Sequence, residues 1–138
     1  MAELQFWIGV HGVIADAGRL LVLRRAPSMI YKPGAWDLPG GHLAADETFE
    51  EGLTREVAEE TGLRIEIVRM LGANKAPGPY VQLLFACRPA GASRTVTLQA
   101  HEHSQWRWVT VGEIGGLGER IPYLDQIIAR GMLEWVTA

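Results

Sequence analysis

Cysteine is almost absent from this sequence. Of 138 residues only Cys87 carries a thiol, and it lies in the apolar run VQLLFACRP. A disulfide within the chain is therefore impossible, and we expect a buried thiol, because free cysteine packs as a small hydrophobic side chain. With 48% apolar residues, the chain has enough hydrophobic side chains to fold as one domain without a disulfide or a structural metal.

Long apolar runs and a strong net charge are also missing. No apolar stretch approaches the ~20 residues of a membrane-spanning helix, and the first residues, MAELQFWIGV, lack the basic segment of a signal peptide. We therefore expect a cytoplasmic protein with no membrane partner. The net charge of −3 gives no general attraction to nucleic acid, so a polyanionic substrate would need local cations or a bound metal.

Strand patterns surround one central helix, and a second helix follows near the end. Runs rich in β-branched, aromatic and aliphatic residues predict strands, and turn signals separate them. This order predicts a single α/β domain over residues 1–138, with a mixed β-sheet flanked by helices on both faces. The predicted strands are 5–15, 19–25, 63–73, 80–88, 94–98 and 104–111; the predicted helices are 48–61 and 122–133; a loop is predicted over 26–36 and a tight turn over 37–42.

The central helix has clear boundary signals. Thr48 and Glu51 fit a capping box, in which each side chain binds a free backbone N–H of the first turn. Gly62 fits the position just past the C-terminus, where a left-handed conformation is needed. Phe49, Leu53 and Val57 recur at intervals of four residues and are predicted to form the buried stripe.

Three acids of this helix lie close to the predicted buried stripe. At about 100° per residue, Glu56, Glu59 and Glu60 share a patch along the edge of that stripe, with Arg55 one turn before Glu59. A solvated charged face is the simpler interpretation of such a run. However, clustered carboxylates at a half-buried edge repel one another unless something compensates their charge. A hard divalent cation, Mg²⁺ or Mn²⁺, is the natural compensator.

The segment LPGGH before the helix strengthens this hypothesis. Gly40 and Gly41 allow the backbone to turn tightly and to approach a ligand, and their carbonyls could join a metal shell. His42 adjoins this turn and is a candidate for substrate contact. Glu47 stands at the start of the helix, where the helix dipole favours an anion.

The spacing of these residues resembles a known family motif. Five residues separate Gly41 from Glu47, and seven residues separate Glu47 from the segment REVAEETGL. This pattern is similar to the Nudix box, Gly-x5-Glu-x7-Arg-Glu-apolar-x-Glu-Glu-x-Gly-apolar. The matched positions include Arg55, Val57, Gly62 and Leu63 as well as the three clustered acids. Asp46 departs from the pattern, because the family most often has glycine there, and we expect only a local change in the turn.

The resemblance implies a fold, a cofactor and residue roles. The fold would be the Nudix α/β/α sandwich, and the activity would be Mg²⁺-dependent hydrolysis of a nucleoside diphosphate linked to a group X. Glu56, Glu59 and Glu60 would be metal ligands, with the Gly41 carbonyl. Arg55 would orient a glutamate, Glu47 and Gly62 would support the motif, and a homodimer would be the oligomeric state. Glu102 is a further metal ligand or base candidate, since some members carry an acid six residues before the tryptophan that Trp108 resembles.

Two catalytic roles remain open from the sequence. Either Glu59 or Glu102 could take the proton from the attacking water, because a base is decided by geometry first and pKa second. Arg24 and Arg25 end a predicted strand and could bind phosphates, although a solvated strand end is the alternative. Strand alternation directs the two to opposite faces, and the resemblance favours Arg25.

The identity of X is less clear. The segments LPGGH, YVQLLF and SQWRWV resemble the MutT-type branch, which converts nucleoside triphosphates, including damaged ones, into a nucleoside monophosphate and pyrophosphate. Pro77, Pro79 and Tyr80 fall about where relatives that hydrolyse ADP-ribose or dinucleoside polyphosphates carry a marker residue, and nucleotide sugars are a further alternative. A non-catalytic nucleotide-binding module is the alternative from another class. Candidates for stacking on a base are Tyr31, Trp36, Trp106 and Trp108; His101 and His103 are interpreted as loop residues.

Overall fold

The computed structural model describes residues 3–138. Seven strands and two α-helices form its framework, with two 3₁₀ turns in the last third of the chain. The strands are β1 (Trp7–Asp16), β2 (Arg19–Arg25), β3 (Trp36–Asp37), β4 (Gly40–His42), β5 (Ile65–Asn74), β6 (Tyr80–Pro89) and β7 (His103–Val109); the helices are α1 (Phe49–Thr61) and α2 (Pro122–Ala129); the 3₁₀ turns are Val111–Gly116 and Glu134–Thr137.

Strand β1 organises the sheet. Its length allows it to pair in parallel with β6 and antiparallel with both β4 and the start of β2. The strand order is β3-β2-β1-β6-β5, with β4 joined to β1 and β7 joined to β2. The sheet is therefore mixed, as predicted, and β4 lies against the first half of β1.

The two helices cover opposite faces of this sheet. On one face, Leu53 and Val57 of α1 pack with apolar residues of β1, β2 and β6. On the other face, Leu124 and Ile127 of α2 pack with a second set from the same strands. Because strand side chains alternate in direction, each strand contributes to both cores. This arrangement is the predicted α/β/α sandwich.

The predicted boundaries of α1 are confirmed, and one predicted core residue is not. The Thr48 side chain accepts a hydrogen bond from the Glu51 N–H at 3.1 Å, and the Glu51 carboxylate accepts one from the Thr48 N–H at 2.9 Å. Gly62 follows the helix with a left-handed φ of 73°. Phe49, however, is 40% exposed, because it belongs to the first turn, whose other residues also face solvent.

Three other boundaries differ from the sequence-based expectations. Residues 94–98 are not a strand: they lie along the end of α1, where the Thr97 N–H donates to the Thr61 carbonyl at 2.9 Å. The predicted loop and turn contain the short strands β3 and β4, whose pairing partners are distant in sequence. Helix α2 ends at Ala129, shortly before Gly131 adopts a left-handed φ of 73°.

The prediction for Cys87 agrees with the fold. The Cys87 side chain is buried in the core beneath α1, and burial raises the pKa of its thiol to about 12. Within residues 3–138, neither α-helix has the length and apolarity to cross a membrane.

The packing of α1 predicts different stability losses for two of its residues. Leu53 lies over Gly12 of β1 and is completely buried, so Leu53→Ala should lower the free energy of unfolding by about 2–5 kcal/mol. The exposed Phe49 serves as the matched control, and Phe49→Ala should cost much less. Urea unfolding measures both values, and equal losses would contradict this account of α1.

Candidate active site: an acidic cluster at the glycine strand

The site forms where α1 passes close to the glycines of β4. A Cβ atom added to Gly41 would lie 2.5 Å from the Glu56 carboxylate, so this carboxylate would have to move. At Gly40, where φ is 150°, a Cβ atom would lie 2.1 Å from the Val10 carbonyl oxygen. Glycine at position 41 therefore permits the β4 backbone to approach Glu56 of α1, and glycine at position 40 permits it to approach β1.

Glu60 is the most enclosed acid of the cluster. It is buried, and its Oε1 accepts a hydrogen bond from the Gly40 N–H at 2.7 Å. Burial raises the pKa of Glu60 to about 9, and the nearby carboxylates of Asp37, Glu56 and Glu102 act in the same direction. A carboxyl group held at this pKa binds a proton at neutral pH unless a cation replaces that proton.

Arg55 connects the acids on the outer side of α1. Its Nε and Nη2 donate to the two oxygens of Glu47 at 2.6 and 2.8 Å, and its Nη1 donates to Glu56 at 3.0 Å and to Glu59 at 3.2 Å. This forked contact lowers the pKa of Glu47 to about 2. The side chain of Glu59 is 57% exposed, so this acid lies at the solvent-facing edge of the cluster.

The start of β7 and the turn before it add two side chains, His103 and Glu102, to the same place. Glu60, Glu102 and His103 each offer one ligand atom, and these atoms lie within 4.8 Å of one another. His103 Nε2 is 3.6 Å from the Glu60 carboxylate, while its buried Nδ1 has no hydrogen-bond partner among residues 3–138. The interpretation of His103 as a loop residue is wrong, because this residue begins β7 and is buried. Its only sequence signal was its position beside Glu102.

This donor set is suited to a divalent cation. Carboxylate oxygens are the preferred ligands of Mg²⁺ and Mn²⁺, and a neutral imidazole is also accepted by Mn²⁺. Burial lowers the pKa of His103, which keeps its ring neutral and able to bind a metal. Burial is the main cause of the raised pKa of Glu60, the nearby carboxylates add to it, and a bound cation would offset both by favouring the ionised carboxylate.

The two arginines at the end of β2 have different surroundings. Arg25 approaches the acidic side: its Nη1 is 3.7 Å from Asp37 Oδ2, and its Nε donates to the Tyr31 carbonyl at 2.8 Å. Arg24 is held elsewhere, because its Nε donates to the Gly34 carbonyl at 2.9 Å. The two side chains therefore diverge, as strand alternation predicted.

Trp36 does not match its predicted role. It is only 3% exposed, and its ring N–H donates to the Leu117 carbonyl at 3.0 Å. Pairing of β3 with β2 turns this ring into the core beneath α2, so Trp36 has no surface on which a base could stack. The candidates Tyr31, Tyr80 and Trp106 are exposed, and the exposed ring of His42 stacks on Trp7 with centroids 5.4 Å apart.

A buried polar group behind Glu60 was not predicted. The Tyr123 hydroxyl donates to the Asp37 carboxylate and lies 3.0 Å from His11 Nδ1. The Leu38 N–H also donates to Asp37, at 2.7 Å. These side chains come from β1, β3 and α2, so no local pattern indicates that they meet. A recess of about 390 Å³ lies elsewhere, between the turn at 16–18 and Trp135, and its lining contains none of the predicted site residues.

Comparison with known proteins agrees with the fold and the acidic motif. A family model described as the NUDIX domain matches residues 6–136. A MutT-like protein from Streptomyces ambofaciens is 40% identical over 109 residues, which cover 78% of this chain and 66% of that protein. An ADP-ribose pyrophosphatase from Methanocaldococcus jannaschii is 34% identical over 70 residues, which cover 51% of this chain and 40% of that protein. The chain thus spans less than two thirds of the length of these relatives.

A solved structure is similar over almost the full chain. The crystal structure of a MutT protein from Methanosarcina mazei Go1 superimposes with a TM-score of 0.77 at 30% sequence identity. The match covers 94% of this chain and 95% of that one, so it includes both helical layers and the sheet between them.

The environment of Glu60 predicts a pH dependence of the metal-free protein. The pKa of Glu60 is about 9 in the folded state and about 4.5 when unfolded, so the folded state binds more protons between these values. The free energy of unfolding should therefore fall as the pH rises through this window. Urea unfolding in EDTA between about pH 7.5 and pH 9, where free histidines are already neutral, measures the slope.

Glu60→Gln should flatten this slope, because a neutral amide has no proton to lose. The buried Cys87 thiol adds a slope of the same sign that remains in this variant, since burial raises its pKa to about 12. The matched control is Glu50→Gln, on the exposed first turn of α1, which should retain the wild-type slope. An unchanged slope in Glu60→Gln would show that Glu60 is ionised in the metal-free protein.

Proposed function

Because the chain belongs to the Nudix family, whose members act on compounds containing a nucleoside diphosphate linked to another group, we propose that it is a metal-dependent nucleoside triphosphate pyrophosphohydrolase. Its products would be a nucleoside monophosphate and pyrophosphate, and damaged nucleotides are included among its substrates. The observation that carries the proposal is the meeting of Glu56, Glu60, Glu102 and His103 around the glycine strand. The similarity to MutT-like proteins supports the choice of substrate class.

The residues have distinct parts in this reaction. Glu56, Glu59, Glu60 and Glu102 would hold Mg²⁺ or Mn²⁺ with the Gly41 carbonyl, and the buried His103 would complete the site. A bound divalent ion supplies neutralisation of the phosphate oxygens and a lowered pKa of bound water. The two hydrogen bonds from Arg55 to Glu47 keep the guanidinium oriented. Its Nη1 can then donate to both Glu56 and Glu59 and hold their carboxylates in place.

The general base is Glu59 or Glu102. Both side chains are open to solvent, so water can reach them, whereas Glu60 is enclosed and hydrogen-bonded to Gly40. A carboxylate that water can reach is placed to accept a proton from that water. Arg25 is the candidate for binding a phosphate, since it lies beside Asp37 on the side of the acids. Its planar fork suits a phosphate as well as a carboxylate.

Hydrolysis of ADP-ribose is the second candidate. The similarity to an ADP-ribose pyrophosphatase favours it, as does the loop at Pro77 and Pro79 that leads into Tyr80. Nucleotide sugars and dinucleoside polyphosphates belong to the same alternative, because each contains the same scissile linkage. A non-catalytic binding module is disfavoured, since binding alone does not require the complete set of acids.

A substrate screen distinguishes these candidates. With Mg²⁺ or Mn²⁺, we expect hydrolysis of ordinary or oxidised deoxynucleoside triphosphates to a monophosphate and pyrophosphate, and no hydrolysis in EDTA. Separation of products by ion-exchange chromatography identifies the bond that is cleaved. Release of AMP and ribose 5-phosphate from ADP-ribose, with triphosphates untouched, would favour the second candidate. No metal-dependent hydrolysis in the whole panel would support the binding module.

Removing single carboxylates tests the assigned roles. Glu59→Gln and Glu60→Gln should each lower kcat by orders of magnitude, roughly 10²–10⁴-fold, because each loses a ligand or base while keeping its shape. Circular dichroism should show that both variants remain folded, and the exposed Glu50→Gln serves as the control with near-wild-type kcat.

The pH–rate profile then separates the two base candidates. Of Glu59→Gln and Glu102→Gln, the variant that lacks the base should lose the fall in rate on the acidic side. Near-wild-type turnover in Glu59→Gln or Glu60→Gln would remove that residue from the mechanism.

A further inference from the structure

The Tyr123 hydroxyl reaches from the α2 layer to the side of the acids. Asp37 pairs with Leu23, which belongs to the core beneath α1, so the Asp37 side chain is directed towards that face of the sheet. Tyr123 lies on α2, which covers the other face. Among residues 3–138, β1 and β2 pair only near the turn that joins them, so the sheet is open between their other ends. The hydrogen bond from Tyr123 to Asp37 therefore links α2 to the acidic site.

The hydrogen bonds that end at Asp37 run in one direction. The Tyr123 hydroxyl has one hydrogen atom and donates it to Asp37 Oδ1. Its oxygen must then accept the hydrogen of His11 Nδ1, which lies 3.0 Å away. Burial lowers the pKa of His11, so this ring is neutral at neutral pH and carries its hydrogen on Nδ1. A directed chain of hydrogen bonds therefore runs from His11 through Tyr123 to Asp37.

This chain leaves the second oxygen of Asp37 to Arg25. Oδ1 accepts hydrogen bonds from the Leu38 N–H, at 2.7 Å, and from the Tyr123 hydroxyl. Oδ2 faces Arg25 instead, at 3.7 Å from Nη1. The carboxylate cannot rotate without losing the two hydrogen bonds to Oδ1, and in a buried network that loss is costly. The orientation of Asp37 towards Arg25 is thus set from the α2 layer.

An irregularity in the β2–β7 ladder brings Arg25 to the site. The ladder skips Ser104 between its last two pairs, so Arg25 lies opposite His103. Such a bulge changes the direction of nearby side chains. Since His103 is one of the residues gathered beside Glu60, Arg25 is directed to the same region.

The guanidinium of Arg25 has a donor group left for a ligand. Its Nε donates to the Tyr31 carbonyl at 2.8 Å, and the Tyr31 ring lies 5.7 Å from its central carbon. Because Nη1 faces Asp37, Nη2 is the group left to meet a phosphate. The Arg25 side chain is only 14% exposed, so its neighbours determine where this group points.

We propose that Tyr123 is a positioning residue for Arg25. Tyr123 fixes Asp37 from the other side of the sheet, and Asp37 in turn holds the guanidinium of Arg25 towards the acids, where a phosphate of the substrate would lie. The inference rests on the proposed function for the role of Arg25 at a phosphate. It gives α2, which carries none of the proposed metal ligands, a part in substrate binding.

A double-mutant cycle on KM tests the route from Tyr123 to Arg25. Tyr123→Phe removes the hydroxyl and keeps the ring, and it should raise KM for the best nucleotide from the screen roughly 3–10-fold with little change in kcat. In an Arg25→Ala background the same substitution should leave KM unchanged, because the group that it positions is missing. Equal increases of KM in both backgrounds, or no increase in either, would overturn the proposal.

Ile127→Val is the matched control for this cycle. Ile127 lies on α2 one turn after Tyr123 and is completely buried, so the variant loses core packing and keeps the hydroxyl. Its KM should equal the wild-type value, although its free energy of unfolding falls. An increase of KM equal to that in Tyr123→Phe would show that packing of α2, and not the hydroxyl, controls the site, and the proposal would fail.

Hydrogen exchange in the metal-free protein separates this proposal from the proposed function. In ¹H–¹⁵N spectra recorded in EDTA, the Nε–H signal of Arg25 reports how firmly the guanidinium is held against the Tyr31 carbonyl. Tyr123→Phe should speed exchange of this hydrogen with water roughly threefold or more, and Ile127→Val should not. This result would support the proposal even if no nucleotide were hydrolysed. If nucleotides are hydrolysed but the exchange rate is unchanged, Tyr123 does not position Arg25 and the proposed function is retained.

Discussion

The close approach of the β4 backbone to the carboxylates of α1 is the constraint on which the site depends. Gly41 leaves no room for a Cβ atom beneath Glu56, and the Gly40 N–H binds Glu60 directly. A larger residue at position 41 would displace the Glu56 carboxylate, and one at position 40 would collide with the backbone of β1. The packing of Leu53 and Val57 supplies the opposing attraction, since burial of these side chains holds α1 against β1.

Charge compensation follows from this geometry. Glu47, Glu56 and Glu59 share one guanidinium, that of Arg55. Its Nε and Nη2 both donate to Glu47. Within residues 3–138 no guanidinium pairs with Glu60. Burial raises its pKa, the Gly40 N–H donates to one of its oxygens, and His103 Nε2 lies 3.6 Å from the other. The negative charges of Glu47, Glu56 and Glu59 are therefore compensated by Arg55, whereas Glu60 has no such cationic partner among the described residues. The position beside Glu60 is the one that suits a divalent cation.

The two faces of the sheet carry different types of side chain, and β4 contacts groups on both faces. Oxygen donors for a metal gather on the side of α1, while amides and aromatic rings gather on the side of α2. His42 participates in both, through its carbonyl to Arg55 and through its ring to Trp7.

What the sequence determined by itself was local in character: the capping box, Gly62 and the spacing of the acids follow from patterns within about twenty residues, and the fold class follows from the order of such patterns along the chain. The tertiary structure alone decided which side chains meet across long separations. It brought His103 to Glu60 and Tyr123 to Asp37, it buried Trp36 and exposed Phe49, and it aligned Asn74 with Gly9. The physical reason is that helix periodicity and caps depend on near neighbours, whereas strand register and helix docking depend on packing of the whole core.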